Sequence, residues 1–241
     1  MTTIIRTAIV TGGGKRVGAA IVAALLAGGW RVVAHVHHAE DEVADGALKV
    51  VADLSDPQCA AAIFDAVEGP VGLLVNNAAR FAPDGFGEAS AAEFDAHMAV
   101  NARAPMLLID EWARRHEGGD ALCVNIGDAK LAAPNPDYLS YTLSKYALAG
   151  LTEVAARALA PRGIRVNAIA PAQMLPSGGQ DDAAFERSHA RNPLGQGVEP
   201  DALIDALLFL IAQPAMTGQT ILIDGGQRFW SLPRDVQFLE S

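Results

Sequence analysis

Tyr141 and Lys145, in the stretch YTLSK, are four residues apart, so on a helix both side chains project from one face. A lysine ammonium beside a phenol favours the phenolate and lowers the tyrosine pKa, which suits the pair to proton transfer near neutral pH. The pattern recurs by chance. Its place here, after an apolar run ending VNIGD and before another helix-strand unit, gives it weight.

A second group lies near the start, in TGGGKRVG (11–18), between the apolar run TAIV and the helical stretch AAIVAALLAGG. Gly12, Gly13 and Gly14 let backbone N–H groups and a helix N-terminus approach a pyrophosphate, and Gly18 lets the helix pack closely on the sheet. An NAD-binding βαβ unit usually places a carboxylate at the end of its second strand to hold the ribose 2′-hydroxyl. This chain reads AHVHHAE there, with His35, His37 and His38 and no carboxylate before Glu40. A carboxylate repels a 2′-phosphate and Arg or protonated His attracts it, so the pattern favours NADP(H), with Arg16 reaching back over the adenosine phosphate. Asp53, in ADLSD, is placed either to accept from the adenine amino group or to close a turn.

These groups need a scaffold that brings strand ends together. Runs rich in Val, Ile and Leu at 4–10, 31–36, 47–51, 71–75, 120–126, 164–169 and 219–223 alternate with segments of helical periodicity at 17–28, 58–68, 91–115, 138–160 and 200–212. That alternation is an α/β fold: a single-domain, Rossmann-type, doubly wound parallel sheet of about seven strands with helices on both faces. The segment 39–46 has room for only a turn of helix. No composition shift divides the 241 residues, so 1–241 reads as one domain, 1–130 mainly dinucleotide-binding and 131–241 carrying the catalytic helix, a segment 171–199 and the last strand. Irregular but for a short helix near 181–190, 171–199 has the length of a substrate lid.

A net charge of −10 argues against a nucleic-acid surface and leaves a small-molecule ligand. Cys59 and Cys123 stand in no CxxC or Cys/His cluster, so neither a metal site nor a disulfide framework is expected. The first apolar run is too short for a signal or membrane segment, and the expected location is cytoplasmic.

The pieces TGGGKRVG, ADLSD, LVNNAA, VNARAP, YTLSK, IRVNAIAP and TGQTILIDGG occur in the order and spacing of the short-chain dehydrogenase/reductase family, which the chain resembles over essentially its whole length. The resemblance implies Tyr141 as acid/base, Lys145 also holding the nicotinamide ribose, and Asn101 supporting a water-linked proton relay. It places Asn76, Asn77 and Ala78 along the cofactor's path. The cofactor set then comprises Gly12, Gly14, Lys15, Arg16 and Val17 from the turn, with His35, His37 and His38 from the second strand's end. Asp53 and Leu54 follow the third strand, Asn77, Ala78 and Ala79 the fourth, and Pro171 the sixth; Tyr141 and Lys145 complete it.

Two departures point to one branch of that family. Arg16 replaces the middle glycine of the turn, and Asp128 replaces the serine found thirteen residues before the tyrosine. Both resemble the pteridine reductase and dihydromonapterin reductase branch. An ionised carboxylate only accepts hydrogen bonds, so Asp128 disfavours a simple carbonyl and favours a substrate with N–H groups, such as a reduced pterin. Asp128 can alternatively be a loop residue capping a turn. Phe81 matches an aromatic that in this branch stacks on the pterin, or is a packing residue; Arg228 and Trp230 border the site or simply pack.

The leading expectation is therefore an NADPH-dependent reductase of a dihydropteridine, dihydromonapterin or dihydrofolate, with Phe81, Asp128 and Tyr141 holding the substrate. A broad carbonyl or 3-oxoacyl reductase and a catalytically silent NADP(H)-binding regulator are the alternatives. The resemblance and the apolar helices at 91–115 and 138–160 imply a homotetramer.

Overall fold

Short β-branched runs ending at glycine or polar residues form seven strands: β1 (Thr7–Val10), β2 (Arg31–Val36), β3 (Leu48–Val51), β4 (Val71–Asn76), β5 (Ala121–Ile126), β6 (Ile164–Pro171) and β7 (Thr220–Ile223). The computed structural model describes residues 6–176 and 180–238. All seven strands join one parallel sheet in the order β3-β2-β1-β4-β5-β6-β7. Strands β1, β5 and β6 are buried at every position, which requires helices on both faces.

Those helices are α1 (Arg16–Ala27), α2 (Cys59–Asp65), α3 (Ala91–Met98), α4 (Ala104–Arg115), α5 (Leu139–Leu159), α6 (Asp182–His189) and α7 (Pro200–Ala212). Alternation along the strands divides the core. Ala8 and Val10 of β1 pack with Ile21 and Leu25 of α1 and Leu203 and Leu207 of α7. Ile9, between them, faces the other layer, with Ile63 of α2, Leu108 and Trp112 of α4 and Ala155 of α5. The strand order reverses between β1 and β4, and ligands of such sheets bind at the carboxyl ends of the strands beside that switch.

The elements fall where the sequence places them, with instructive differences. Residues 4–5 of the first expected strand lie outside the described residues. The helix expected over 91–115 is interrupted by a π-helical turn at Ala99–Arg103. Pro105 has no N–H for the Asn101 carbonyl, the i→i−4 bond a continuous helix needs, and the ladder widens there. The connection 37–47 contains no helix. Lys49 holds it, donating to the carbonyls of Ala39 (2.8 Å) and Asp41 (3.2 Å).

The segment 171–199, of which 177–179 lie outside the described residues, is tied at its base rather than loose. Ser188 donates to Gln173 (2.9 Å) and accepts from Gln180 (3.0 Å), and Gln173 donates to Gln180 (2.7 Å). Among the described residues no helix is long and apolar enough to cross a membrane, and no cluster of three metal-ligating side chains occurs.

Candidate active site

Residues at the carboxyl ends of β1, β2, β4, β5 and β6 open into one cavity of about 760 Å³. Its floor at one end is the glycine turn. Gly12 has a φ of +65°, and a Cβ on Gly18 would lie 1.9 Å from the Gly12 carbonyl oxygen, so neither position accepts a side chain without rebuilding the turn. Gly14 is just as constrained, a Cβ there meeting the Glu42 carbonyl at 2.6 Å, because the helix-free 37–47 connection folds back over the turn. Thr11 ties the turn to β4, its hydroxyl accepting from Asn77 N (3.0 Å) and Ala78 N (3.1 Å).

Arg16 takes a left-handed φ of 54°, a conformation that costs a side-chain-bearing residue about 1–3 kcal/mol. Its guanidinium donates to the Pro176 carbonyl at 2.8 Å, so it links the turn to the start of the 171–199 segment while lining the cavity.

The three histidines separate into different parts. His35 is buried; its Nδ1 accepts from Gly12 N (3.2 Å) and its Nε2 donates to the Ala52 carbonyl (3.0 Å), which fixes a neutral ring. Burial lowers its pKa further, so His35 braces the glycine turn and brings no positive charge to a phosphate. His38 does not line the cavity and packs edge-on against His37 at 4.1 Å. His37 lines it, half exposed, 4.0 Å from Asp53. The cations at this end are thus Lys15 and Arg16, with the His37 ring beside them. Asp41, 3.6 Å from Lys15, is a cavity carboxylate that the sequence does not flag, because only the fold-back of 37–47 brings it there. Asp53 closes a turn, accepting from Ser55 N at 2.8 Å, a bond that holds its carboxyl below the usual range. It also lines the cavity, as do Val17, Leu54, Ala79 and Pro171.

At the other end Tyr141 and Lys145 lie one helical turn apart on α5, both buried. The Tyr141 hydroxyl donates to Asp128 Oδ2 at 2.6 Å, and Asp128 Oδ1 accepts from Lys130 N at 2.8 Å. Asp128 therefore both caps the following 3-10 turn and engages the tyrosine. Burial first, then the Asp128 charge and hydrogen bond, hold the phenol well above its ordinary pKa. This reverses the expectation of a tyrosine lowered by lysine: the carboxylate is in contact, whereas the Lys145 ammonium is 5.6 Å from the ring centroid and donates to the Ile126 carbonyl (2.8 Å). Burial pushes Lys145 down to about 8, against the attraction of Asp128. Phe81, half exposed in the cavity wall, stacks on Tyr138 (4.3 Å) and meets Tyr141 edge-on (4.8 Å).

A family model described as enoyl-(acyl carrier protein) reductase matches residues 14–228, which include Asp128 and the Tyr141–Lys145 pair and begin within the glycine turn, at Gly14. The chain is a short-chain dehydrogenase/reductase. An L-xylulose reductase of Bos taurus is 35% identical, with 92% of this chain and 96% of that protein covered. The FolM alternative dihydrofolate reductase 1 of Brucella canis, solved with NADP, is 38% identical with a TM-score of 0.87, covering 93% of this chain and 94% of that one. Its Brucella suis counterpart, also with NADP, is 37% identical with the same TM-score, covering 95% and 97%. These structures agree with the branch indicated by Arg16 and Asp128.

Within this short-chain dehydrogenase/reductase, two residues expected at the site stand behind it. Asn76 is buried and donates to Asn125 Oδ1 (2.8 Å), bridging β4 and β5 instead of lining the cavity. Asn101, in the π turn, is also outside the lining. Its amide accepts from Arg80 N (2.7 Å) and donates to Arg80 O (2.9 Å) and Ser144 Oγ (2.9 Å), a use of both ends that makes it a brace.

Sequence reasoning missed the C-terminal segment. Leu232, Asp235 and Val236 line the cavity, Asp235 lies 3.5 Å from Lys130, Arg234 pairs with Asp137 (2.8 Å), and Phe238 stacks on Tyr138 (5.8 Å). Its mixture of charges and aromatics after DGG is the one signal in the sequence, without a partner to name. Arg228 lines the cavity paired with Asp224 (2.7 Å), and Trp230 does not reach it.

Proposed function

We propose that this protein is an NADPH-dependent reductase of a dihydropterin. The observation that carries the reading is the Asp128 carboxylate on the Tyr141 hydroxyl, beside Phe81 in one cavity. A carbonyl substrate asks for two donors at that place, whereas a reduced pteridine presents N–H groups that a carboxylate accepts. The solved relatives named as dihydrofolate reductases support a pteridine substrate. The similarity to L-xylulose reductase supports the alternative, a carbonyl reductase.

The glycine turn, which side chains at Gly12 and Gly18 would close, fits a dinucleotide pyrophosphate at the start of α1. Lys15, Arg16 and His37 fit a 2′-phosphate, and the NADP in both Brucella structures supports that choice. When bound, NADPH supplies the hydride. The chain's own residues do the rest: Phe81 gives the ring a flat platform and Asp128 accepts its N–H groups. Tyr141, kept protonated by its surroundings, delivers the proton to the ring nitrogen, and the Lys145 charge offsets the negative charge left on the phenol.

A direct test follows NADPH oxidation with dihydrobiopterin, dihydromonapterin and L-xylulose. The reading expects kcat/KM for a dihydropterin to exceed that for the sugar; turnover of the sugar alone overturns it.

For the cofactor, Arg16→Ala is expected to weaken NADPH binding about tenfold or more and to spare NADH, since a charge-assisted contact contributes ~1.5–3 kcal/mol. Equal losses for both cofactors, measured by titration, would refute the phosphate role.

We also read the protein as a cytoplasmic homotetramer. Large apolar side chains are exposed on both long helices, Met106 on α4 and Leu143, Tyr146 and Val154 on α5, and Leu208, Phe209, Phe229 and Trp230 are exposed later in the chain. Light scattering at micromolar concentration should give a mass of four chains; a monomer contradicts it. Free, buried Cys59 and Cys123 suit a reducing compartment.

A further inference from the structure

The segment carrying Phe81 is held from below by three side chains at equal spacing: Glu93 and His97 of α3 and Asn101 of the π turn. Four-residue steps set them in a stripe along one helical face. Glu93 accepts from Arg80 Nε and Nη2, both at 2.8 Å, and Asn101 brackets the Arg80 backbone from both its N–H and its carbonyl. On the far side of Phe81, Ala82 N donates to His97 Nε2 at 3.2 Å.

His97 is fully buried, the one buried side chain of α3. A backbone N–H can only donate, so Nε2 must be an unprotonated acceptor and the ring proton sits on Nδ1. There it faces the Glu93 carbonyl (3.0 Å) and carboxylate (3.1 Å). The segment then runs on to α5, where Asp84 Oδ1 accepts from Ser140 N (2.9 Å) and the Asp84 carbonyl from Leu139 N (3.2 Å). These bonds serve a helix whose own N-cap, Tyr138, offers no side-chain cap. Phe81 is thus pinned by its backbone on both sides while its ring stays half exposed to the cavity.

We propose that His97 is a positioning residue for substrate: by accepting from Ala82 N–H it sets the Phe81 ring at the orientation the substrate stacks on. The part played by Phe81 rests on the pterin reading above; the hold on its backbone does not. A histidine that merely fills space is replaceable by leucine, whereas one that acts as an acceptor is replaceable by glutamine, whose carbonyl can take the same bond.

The test uses His97→Leu and His97→Gln in the full-length enzyme. His97→Leu is expected to raise KM for dihydrobiopterin about tenfold, with kcat and NADPH affinity within about twofold of the parent, and His97→Gln to restore most of the loss. In a Phe81→Ala background, His97→Leu should add little, because both changes act through one ring. Amide exchange over 79–86 in the cofactor-free protein should speed up in His97→Leu and not in His97→Gln. That arm needs no substrate. Unchanged exchange in His97→Leu overturns the hold itself. Faster exchange without dihydropterin turnover in the parent enzyme retains the hold and removes the pterin reading. A KM increase that His97→Gln shares, or that persists undiminished in Phe81→Ala, overturns the positioning role.

Discussion

Tyr141→Phe is expected to lower kcat with a dihydropterin by about 10²–10⁴-fold, the usual worth of a placed general acid, while NADPH binding stays close to that of the parent. The phenol donates to Asp128 at 2.6 Å, and its raised pKa means that it keeps its proton throughout the working pH range. It is therefore an acid that gives up a proton only to a nitrogen made basic by hydride addition, not a standing phenolate. The pH dependence follows with a definite sign. Lys145 titrates near 8 in the free enzyme, so it is charged below that value and neutral above it. Loss of its charge removes what offsets the developing phenolate, and kcat/KM should fall as pH rises through about 8, with no limb from Tyr141 in that range. Retention of more than about a tenth of the activity in Tyr141→Phe would show that another group supplies the proton.

The scaffold was legible because its determinants are local and periodic. Ala8, Ile9 and Val10 alternate between two core layers in a run that leads into the glycine turn, and a chain of such runs and amphipathic helices admits few sheet topologies. The Tyr141–Lys145 pair was legible for the same reason, being four residues apart on one helix. What the sequence hid depends on backbone excursions. The part of His35 follows from where the Ala52 carbonyl and Gly12 N–H end up, which no pattern in AHVHHAE encodes. The resemblance implies a relay role for Asn101, and nothing in VNARAP foretells that its side-chain amide is taken up by Arg80 and Ser144. Spacing gives Tyr141 its lysine, and with it the expectation of a lowered pKa, but says nothing of distance; Asp128 is the nearer charge. Asp41, Asp235 and Val236 come to the cavity by loop folding, beyond the reach of periodicity.

Asp128 separates a pterin reductase from a carbonyl reductase more sharply than any other residue of the site. Its two oxygens take one bond each, from Lys130 N and the Tyr141 hydroxyl, and each oxygen retains capacity for a further donor. Asp128→Ser keeps an acceptor for the 3-10 turn at Lys130 N but removes the charge and adds a donor, so the turn should survive while substrate preference shifts. With NADPH binding as an internal control, the decisive quantity is the ratio of kcat/KM for dihydrobiopterin to that for L-xylulose, measured in the parent and in Asp128→Ser. The ratio should fall at least about tenfold, equivalent to ~1.4 kcal/mol of differential transition-state stabilisation, through loss on the pterin and unchanged or higher activity on the sugar. A ratio that stays the same in Asp128→Ser would contradict the account and leave Asp128 as a turn residue beside a carbonyl reductase's tyrosine.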